Sequence, residues 1–291
     1  MCYNMLMQVK VFSKLNLTLQ VGARQGEFHP IDSVATSVDV CDVLDVSPRS
    51  DREVRVIGVE GVAQTRNTAY RAARAFSEAF STNGVDVAIK KGIPFGAGLG
   101  GSSADAAAVL YCMCKLYGVD VECEQVAAIC SQIGSDVTFM LRGGLGRLRG
   151  KGDKAEFFTL KRPIYFALTT FTQQMSSRDV YQAFDSLAKP CGGGVNDELL
   201  TLLERGANGQ ALKYLHNDLQ QATVTISSYA DKYLDFTKAN GLNAVMTGSG
   251  SAYYVAFASR ADAQKAVDLL NSHRFYSILC TTESSGILIT D

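Results

Sequence analysis

The pattern of apolar and polar residues divides the first half of the chain into strands followed by helices. Residues 8–12 and 15–21 are rich in apolar and β-branched side chains, and residues 33–46 repeat this pattern, so the N-terminal region is predicted to be β-rich. Residues 67–80 place apolar side chains at helical spacing, which predicts a helix. The same criteria predict a strand and two more helices at residues 85–89, 104–116 and 122–133.

A glycine-rich segment separates this half from the second half of the chain. Residues 143–154 are dense in glycine and are expected to form a mobile boundary, after which residues 164–170 are predicted to form a new strand. We therefore expect two domains, residues 1–155 and 156–291. Beyond the boundary, helices are predicted at residues 177–187, 197–204, 212–215, 227–240 and 261–273, and strands at residues 244–246, 252–258 and 276–282.

The composition is that of an ordinary globular protein. With 291 residues, of which 47% are hydrophobic and 20% charged, the chain can bury a sizeable core. A net charge of −1 argues against a nucleic-acid-binding protein. The 8 cysteines show no metal-ligand spacing, so reduced thiols and no protein-bound metal site are expected. Neither a leader peptide nor an apolar run of ~18 residues is visible, so we expect a cytoplasmic enzyme.

The densest glycine run, residues 91–105, lies between a predicted strand and a predicted helix. Glycines lack a Cβ atom and let several backbone N–H groups converge on one anion, and the helix that follows adds unpaired N–H groups and the positive end of its dipole. Ser102 is expected to cap this helix, with Asp105 at the spacing of a capping box. The sequence therefore predicts a phosphate-binding loop.

Two well-known phosphate motifs fit this loop less well. A Walker loop requires Lys and then Ser or Thr after its second key glycine, whereas two serines follow Gly101. Gly96, Gly98 and Gly101 match the spacing of a dinucleotide fingerprint, but residues 93–95 separate them from the strand that such a fingerprint leaves almost directly. A dinucleotide loop and a glycine-rich turn without a ligand stay open as alternatives.

Three other segments accompany the loop, and they are Ser13-Lys14-Leu15-Asn16-Leu17, Gly134-Ser135-Asp136-Val137 and Met246-Thr247-Gly248-Ser249-Gly250-Ser251. Together with the loop, this set resembles the GHMP kinases. Within that superfamily, Phe28-His29 and Glu60-Gly61-Val62 with Asn67 resemble a branch that phosphorylates a cytidine-diphosphate-linked methylerythritol. The resemblance covers about residues 9–258, and its motifs are specific as a set although each is weak alone.

The resemblance implies both a fold and an activity. The fold would be α+β in the two-domain GHMP kinase architecture, with a ribosomal S5 domain-2-like N-terminal domain, a ferredoxin-like C-terminal domain and the active site between them. The activity would be transfer of the γ-phosphate of ATP, accompanied by Mg²⁺, to a hydroxyl of the cytidine-linked alcohol in non-mevalonate isoprenoid biosynthesis. No nucleic acid or membrane partner is expected, and the protein is expected to be a monomer or a homodimer.

The resemblance also assigns the residues of the site. Phosphoryl transfer needs a cation, a carboxylate near the attacking hydroxyl and a phosphate cradle, and Lys14 and Asp136 match the first two. The residues expected to bind ATP are Asn67, Lys91, Pro94, Phe95, Gly96, Ala97, Gly98, Leu99, Gly100, Gly101, Ser102, Ser103 and Ala104. The residues expected to bind the alcohol substrate are Asn16, Phe28, His29, Ser177, Tyr181 and Gly248.

Each assignment has a purely structural alternative. The alternatives are a helix cap for Asp136, a solvated strand residue for Lys14, a helix N-cap for Asn67, a strand-end charge for Lys91 and core packing for Phe28 and Tyr181. The sequence also leaves open whether Asp136 acts as a base or through its charge.

Three departures from the branch leave the substrate open. Phe28 replaces the usual tyrosine, which keeps an aromatic face and loses a phenol hydrogen bond, while Glu27 stands where glycine is usual and Thr138 where proline is usual. A mevalonate- or homoserine-type GHMP kinase is therefore an alternative, and the aromatic pocket distinguishes it. A catalytically silent nucleotide-binding paralogue is another, and the retained lysine and aspartate argue against it.

Overall fold

The computed structural model describes residues 6–173, 175–187 and 194–290. The strands are β1 (Met7–Asn16), β2 (Thr18–Val21), β3 (Ile31–Pro48), β4 (Arg55–Ile57), β5 (Val85–Lys90), β6 (Leu145–Gly150), β7 (Lys154–Phe158), β8 (Tyr165–Thr169), β9 (His216–Asn217), β10 (Ala244–Met246), β11 (Tyr253–Phe257), β12 (Ser277–Glu283) and β13 (Ile287–Ile289). The helices are α1 (Thr68–Phe80), α2 (Gly101–Tyr117), α3 (Glu124–Ile133), α4 (Val137–Arg142), α5 (Ser177–Ser186), α6 (Val195–Glu204), α7 (Asn208–Ala211), α8 (Gln220–Ile226), α9 (Ser228–Ala239) and α10 (Arg260–Ser272).

The strands form one continuous and mainly antiparallel sheet, whose main path runs β10-β11-β8-β12-β3-β1-β13. Its central strand, β3, is 18 residues long and also pairs with β2, β5 and β6. Because β12 pairs with β3 at Val38 and Ser37, the strands of the second half of the chain extend the sheet of the first half. The α+β class predicted from the sequence is confirmed.

The helix that follows the glycine loop packs closely on this sheet. Helix α2 contacts β1 and β3 and also packs against α1 and α4. The alanines of its first half are fully buried, so their small side chains allow close packing on the sheet. None of the helices in the described residues is both long enough and apolar enough to cross a membrane.

Strand β1 changes its pattern of burial halfway along. From Met7 to Val11 buried and exposed residues alternate, as in a strand with one face on a core. The register with β3 then shifts between Phe12 and Ser13, and beyond this bulge every residue of the strand is buried. Simple alternation would leave some polar side chains of this half exposed, yet all of them are inside the protein.

Some predicted elements are wrong or shifted. The segment 143–154 is not a mobile boundary, because most of it belongs to the hairpin of β6 and β7, and β6 is paired on both sides with its first four residues buried. The predicted helix at residues 212–215 is a single 3₁₀ turn. The domain division after residue 155 stays a prediction, and it falls within β7.

Candidate active site

A cleft of about 320 Å³ opens beside the glycine loop. Among the residues predicted for the site, those that line it are Lys14, Lys91, Pro94, Phe95, Gly96, Ala97, Gly98, Leu99, Gly100, Gly101, Ser102, Ser103, Asp136, Ser177 and Gly248. Those outside its lining are Asn16, Phe28, His29, Asn67, Ala104 and Tyr181. The structure therefore brings together both predicted catalytic residues and most of the predicted ATP-binding residues.

The glycine loop is braced by the loop of residues 247–252 near the C-terminus. Gly98 has a left-handed φ of 77°, and a Cβ atom there would lie 2.4 Å from the carbonyl oxygen of Thr247. The backbone N–H of Ala252 donates to the carbonyl of Ala97 at 3.0 Å. The close approach that Gly98 permits is thus to the protein's own backbone, which fixes the shape of the glycine loop.

Helix α2 begins earlier than predicted, with left-handed Gly100 at its N-cap. The Gly100 carbonyl accepts hydrogen bonds from the N–H groups of Ser103 and Ala104 at 3.0 and 2.9 Å. Capping by Ser102 and the capping box with Asp105 are therefore wrong. Ser102 and Ser103 instead lie in the first turn of α2 and line the cleft, where the positive end of the helix dipole favours an anion.

Lys14 and Asp136 form an ion pair in the cleft. The Lys14 Nζ lies 3.5 Å from the Asp136 Oδ2, and the side chains are 6% and 29% exposed, so Lys14 is not a solvated strand residue. Asp136 occupies the N-cap position of α4, but its side chain caps no N–H group of that helix. The pair supplies a buried cation beside an accessible carboxylate, as phosphoryl transfer to a hydroxyl requires.

Asn16, which follows Lys14 by two residues in β1, fixes the position of the lysine side chain. The Lys14 Nζ donates to the Asn16 Oδ1 at 2.6 Å, and the Asn16 Nδ2 donates to the Ser33 Oγ at 2.7 Å. The Asn16 backbone N–H donates to the Thr247 Oγ1 at 3.0 Å. Asn16 is only 2% exposed and its amide is bonded within the protein, so this geometry orients the lysine. Its contact with substrate stays a prediction.

Lys91 belongs to a buried cluster of charges at the entrance of the glycine loop. Its Nζ donates to the Asp42 Oδ2 at 2.5 Å and to the Asp105 Oδ2 at 2.9 Å. The other oxygen of the fully buried Asp42 accepts from the backbone N–H groups of Gly92 and Ile93. Lys91 is therefore not a free strand-end charge, and the Asp42 carboxylate ties it to the first residues of the loop.

Two carboxylates compete for one ammonium in this cluster. Burial raises the pKa of Asp105 to about 7; the attraction of Lys91 opposes this rise and the charge of Asp42 adds to it. The Asp105 Oδ1 is buried without a hydrogen-bond partner, which is costly for an ionised carboxylate. A proton on Asp105 lowers that cost by removing the charge, which is the direction in which burial shifts its pKa.

Because the pKa of Asp105 is raised, we expect the free energy of unfolding to fall as the pH rises from 3.8 to about 7. A carboxyl whose pKa is higher in the folded state binds its proton more tightly there. Its contribution to the free energy of unfolding is therefore complete below the pKa of the unfolded state and is lost as the pH rises through the pKa of the folded state. In urea unfolding, Asp105→Asn should flatten the pH dependence of the free energy of unfolding over this range. The exposed Asp235→Asn is the control, and identical profiles for Asp105→Asn and the parent would contradict the assignment.

Asn67 caps helix α1, which is the purely structural role that the sequence analysis gave as its alternative. Its Oδ1 accepts from the N–H groups of Ala69 and Tyr70 at 2.9 and 3.4 Å. The neighbouring Thr68 hydroxyl donates to the Ser102 carbonyl at 2.5 Å, so α1 and α2 begin side by side. A contact between Asn67 and ATP stays a prediction.

The aromatic residues predicted for the substrate lie outside the cleft lining. The His29 ring stacks on Tyr181 with centroids 5.5 Å apart, and the Lys151 Nζ lies 4.5 Å from the centre of the Phe28 ring. Phe28 and Tyr181 are both half-buried, so neither is a plain core residue. Burial raises the pKa of Tyr181 to about 12, and the charge of Asp136 adds to the rise.

Glu27 and Thr138, the other two residues that differ from those usual in the branch, lie outside the cleft lining. Glu27 is exposed in the turn between Gln25 and Phe28. Thr138 belongs to α4 and lines a different cavity, which Phe157 also lines. Neither side chain lines the cleft beside the glycine loop.

The loop of residues 247–252 is held by contacts that the sequence did not reveal. The Asn217 Nδ2 donates to the carbonyls of Met246 and Gly248, both at 2.8 Å. The hydroxyls of Ser249 and Ser177 lie 2.7 Å apart and join this loop to the start of α5, the helix that carries Tyr181. One wall of the cleft is thereby connected to the aromatic residues.

Two carboxylates, Asp42 and Asp185, were missed in the sequence. A signal existed for Asp42, because an acidic residue within a buried strand needs a partner. No local signal marked Asp185, whose Oδ1 lies 2.9 Å from the His29 Nε2, because the two residues are far apart in the chain.

Comparisons with known proteins agree with this geometry. The family model of the GHMP kinases N terminal domain matches residues 67–144, and that of the GHMP kinases C terminal domain matches residues 199–274. The chain is 32% identical over 281 residues to the 4-diphosphocytidyl-2-C-methyl-D-erythritol kinase of Caldicellulosiruptor saccharolyticus, which covers 95% of this chain and 97% of that relative.

Solved structures show the same fold. A crystal structure of 4-(cytidine 5'-diphospho)-2C-methyl-D-erythritol kinase matches with a TM-score of 0.77 and 27% identity, over 95% of this chain and 100% of the other. A homoserine kinase from Cytophaga hutchinsonii matches with a TM-score of 0.76 over 98% and 97% of the two chains, but at 16% identity this likeness shows the fold alone. The chain belongs to the GHMP kinases, a family of ATP-dependent small-molecule kinases, and within them to the group of the 4-diphosphocytidyl-2-C-methyl-D-erythritol kinases.

Proposed function

We propose that this protein transfers the γ-phosphoryl group of ATP to a hydroxyl of 4-diphosphocytidyl-2-C-methyl-D-erythritol, a step of non-mevalonate isoprenoid biosynthesis. The observation that carries the proposal is the ion pair of Lys14 and Asp136, 3.5 Å apart on the lining of the cleft beside the glycine loop. The family supplies the substrate class, and the geometry supplies a cation, a carboxylate and an anion cradle in one place.

The reaction uses each of these groups once. The substrate hydroxyl attacks the γ-phosphorus, the bond to the bridging oxygen of ADP breaks, and the hydroxyl proton passes to the carboxylate of Asp136. Lys14, held by Asn16, neutralises charge on the phosphoryl group as it moves between the two oxygens. The backbone of the glycine loop and the hydroxyls of Ser102 and Ser103 hold the phosphates of ATP.

The oxygen donors on the cleft lining fit a Mg²⁺ ion that accompanies ATP. Within the described ranges no group of three or more metal-ligating side chains occurs, so the phosphates and water would supply most of the ligands, as Mg²⁺ prefers. The protein donors available on the lining are the Asp136 carboxylate and the hydroxyls of Ser102 and Ser103. When bound, the ion would neutralise phosphate charge.

An ATP-consumption assay with several alcohols tests catalysis and substrate together. We expect ADP release with the cytidine-diphosphate-linked methylerythritol and none with mevalonate or homoserine. Faster turnover of mevalonate or homoserine would transfer the protein to another branch of the GHMP kinases. ATP binding without turnover of any alcohol would favour a catalytically silent paralogue.

The aromatic residues should bind the base of the substrate by stacking. Phe28→Ala and Tyr181→Ala are each expected to weaken binding of the cytidine substrate by ~1–3 kcal/mol, the scale of base–aromatic stacking, and to leave the affinity for ATP unchanged. Calorimetric titration with each ligand measures both effects. Tyr229→Ala removes an exposed aromatic ring elsewhere and serves as the control. Unchanged affinity for the substrate in both variants would remove the stacking pocket from the proposal.

We also propose that the enzyme works in the cytoplasm as a monomer or a homodimer. The cysteines that the structure describes are free thiols, which favours a reducing compartment, and ATP is available there. Sedimentation of the purified protein would decide between the two oligomeric states.

A further inference from the structure

The His29 ring has no free hydrogen-bonding edge for a substrate base. Its Nδ1 lies 2.9 Å from the carbonyl oxygen of Gly22, and its Nε2 lies 2.9 Å from the Asp185 Oδ1. A carbonyl oxygen only accepts, so Nδ1 donates to Gly22, and Nε2 faces the carboxylate; neither ring nitrogen is left free for a base. The side chain is 8% exposed, which leaves its ring buried between these two acceptors.

The accessible polar group at this place is the carboxylate of Asp185. Its side chain is 35% exposed, and its second oxygen lies 3.3 Å from a guanidinium nitrogen of Arg24, whose side chain is mostly in solvent. The imidazole that holds the carboxylate stacks on Tyr181 and meets the edge of Phe184 at 5.9 Å. Asp185 therefore stands at the border of the aromatic residues proposed to bind the base.

The position of this carboxylate in α5 is electrostatically unfavourable. Asp185 belongs to the last turn of the helix, where the negative end of the dipole disfavours an anion. Contacts with His29 and Arg24 offset that repulsion, and they hold the carboxylate in one orientation. A carboxylate fixed in this way at the edge of an aromatic site is suited to accept a hydrogen bond.

We propose that Asp185 selects cytosine over uracil in the substrate by accepting a hydrogen bond from the exocyclic amino group of the base. Cytosine presents an amino donor at the position where uracil presents a carbonyl acceptor, so a carboxylate attracts the first base and repels the second. His29 is then a positioning residue that holds the carboxylate. The inference rests on the proposed function, because it needs a cytidine-linked substrate.

Binding and turnover of matched cytidine and uridine ligands test this role. Asp185→Asn keeps the shape of the side chain and adds an amide donor that can face a uracil carbonyl. We expect the ratio of kcat/KM for the cytidine-linked substrate to that for its uridine-linked analogue to fall about tenfold or more, with kcat for the cytidine-linked substrate unchanged. Calorimetry with cytidine 5'-diphosphate and uridine 5'-diphosphate should show the same loss of preference without depending on catalysis.

Two further variants keep the test specific. Asp179→Asn removes an exposed charge from the same helix and should leave the preference intact, and Asp185→Glu keeps a carboxylate and should retain most of it. If Asp185→Asn weakens cytidine and uridine ligands equally, Asp185 has only a structural role and the inference is overturned. If the parent turns over no cytidine-linked alcohol and prefers neither diphosphate, the proposed function itself fails.

Discussion

Replacing Asp136 by asparagine is expected to lower kcat at least ~10²-fold while ATP and the alcohol still bind. The amide keeps the shape of the side chain but loses the charge and basicity, and a positioned base contributes ~10²-fold or more. The structure sharpens this expectation, because the Asp136 side chain caps no N–H group of α4 and its loss should not unfold that helix. Rates at saturating ATP and substrate, with calorimetry for binding, measure the effect.

Asp235→Asn, an exposed substitution of the same kind on α9, should turn over like the parent and controls for the change in net charge. Turnover of Asp136→Asn close to that of the parent would remove the carboxylate from the chemical step. The reaction would then have to proceed with water or a substrate phosphate as the proton acceptor on the same fold. A loss of binding without a loss of kcat would instead make Asp136 a substrate ligand.

The sequence predicted most elements because their patterns are local. Helix α1 has regular apolar spacing and an asparagine N-cap, and α2 has a buried alanine run, so both could be placed from the sequence. The hairpin of β6 and β7 was mistaken for a mobile boundary, because its glycines resemble a loop while its burial depends on pairing with β3. Such long-range pairing leaves no local mark on the chain.

The residues of the site that belong to a sequence motif were predicted. The residues that reach the site from distant parts of the chain were missed. Lys14, Asp136 and the glycine loop lie together on one cleft, whereas Ser102 was misplaced because a left-handed glycine can begin a helix without a side-chain cap. Asp42 acts through Lys91 and Asp185 through His29, and each partner lies far away in the chain. Only the folded chain shows those contacts.

Lys14→Met is expected to lower kcat by ~10²-fold or more, because charge developing on the transferred phosphoryl group loses its fixed cation. Methionine fits the buried position without a charge, but the Asn16 Oδ1 then loses the shorter of its two donor contacts and Asp136 loses its ion-pair partner. Lys14 and Asp136 form one ion pair, so the two substitutions remove parts of the same unit. The double variant should therefore be much less impaired than the product of the two single effects.

Measuring all three variants at saturating ATP and substrate gives the coupling directly. Lys10→Met on the same strand is the matched control, since Lys10 is exposed and lies before the bulge that buries Lys14. If the single effects multiply in the double variant, the lysine and the carboxylate act independently and the 3.5 Å contact does not matter for the chemical step. If Lys14→Met raises only the KM for ATP, the lysine binds phosphate in the ground state, because a cation used in the transition state must change kcat.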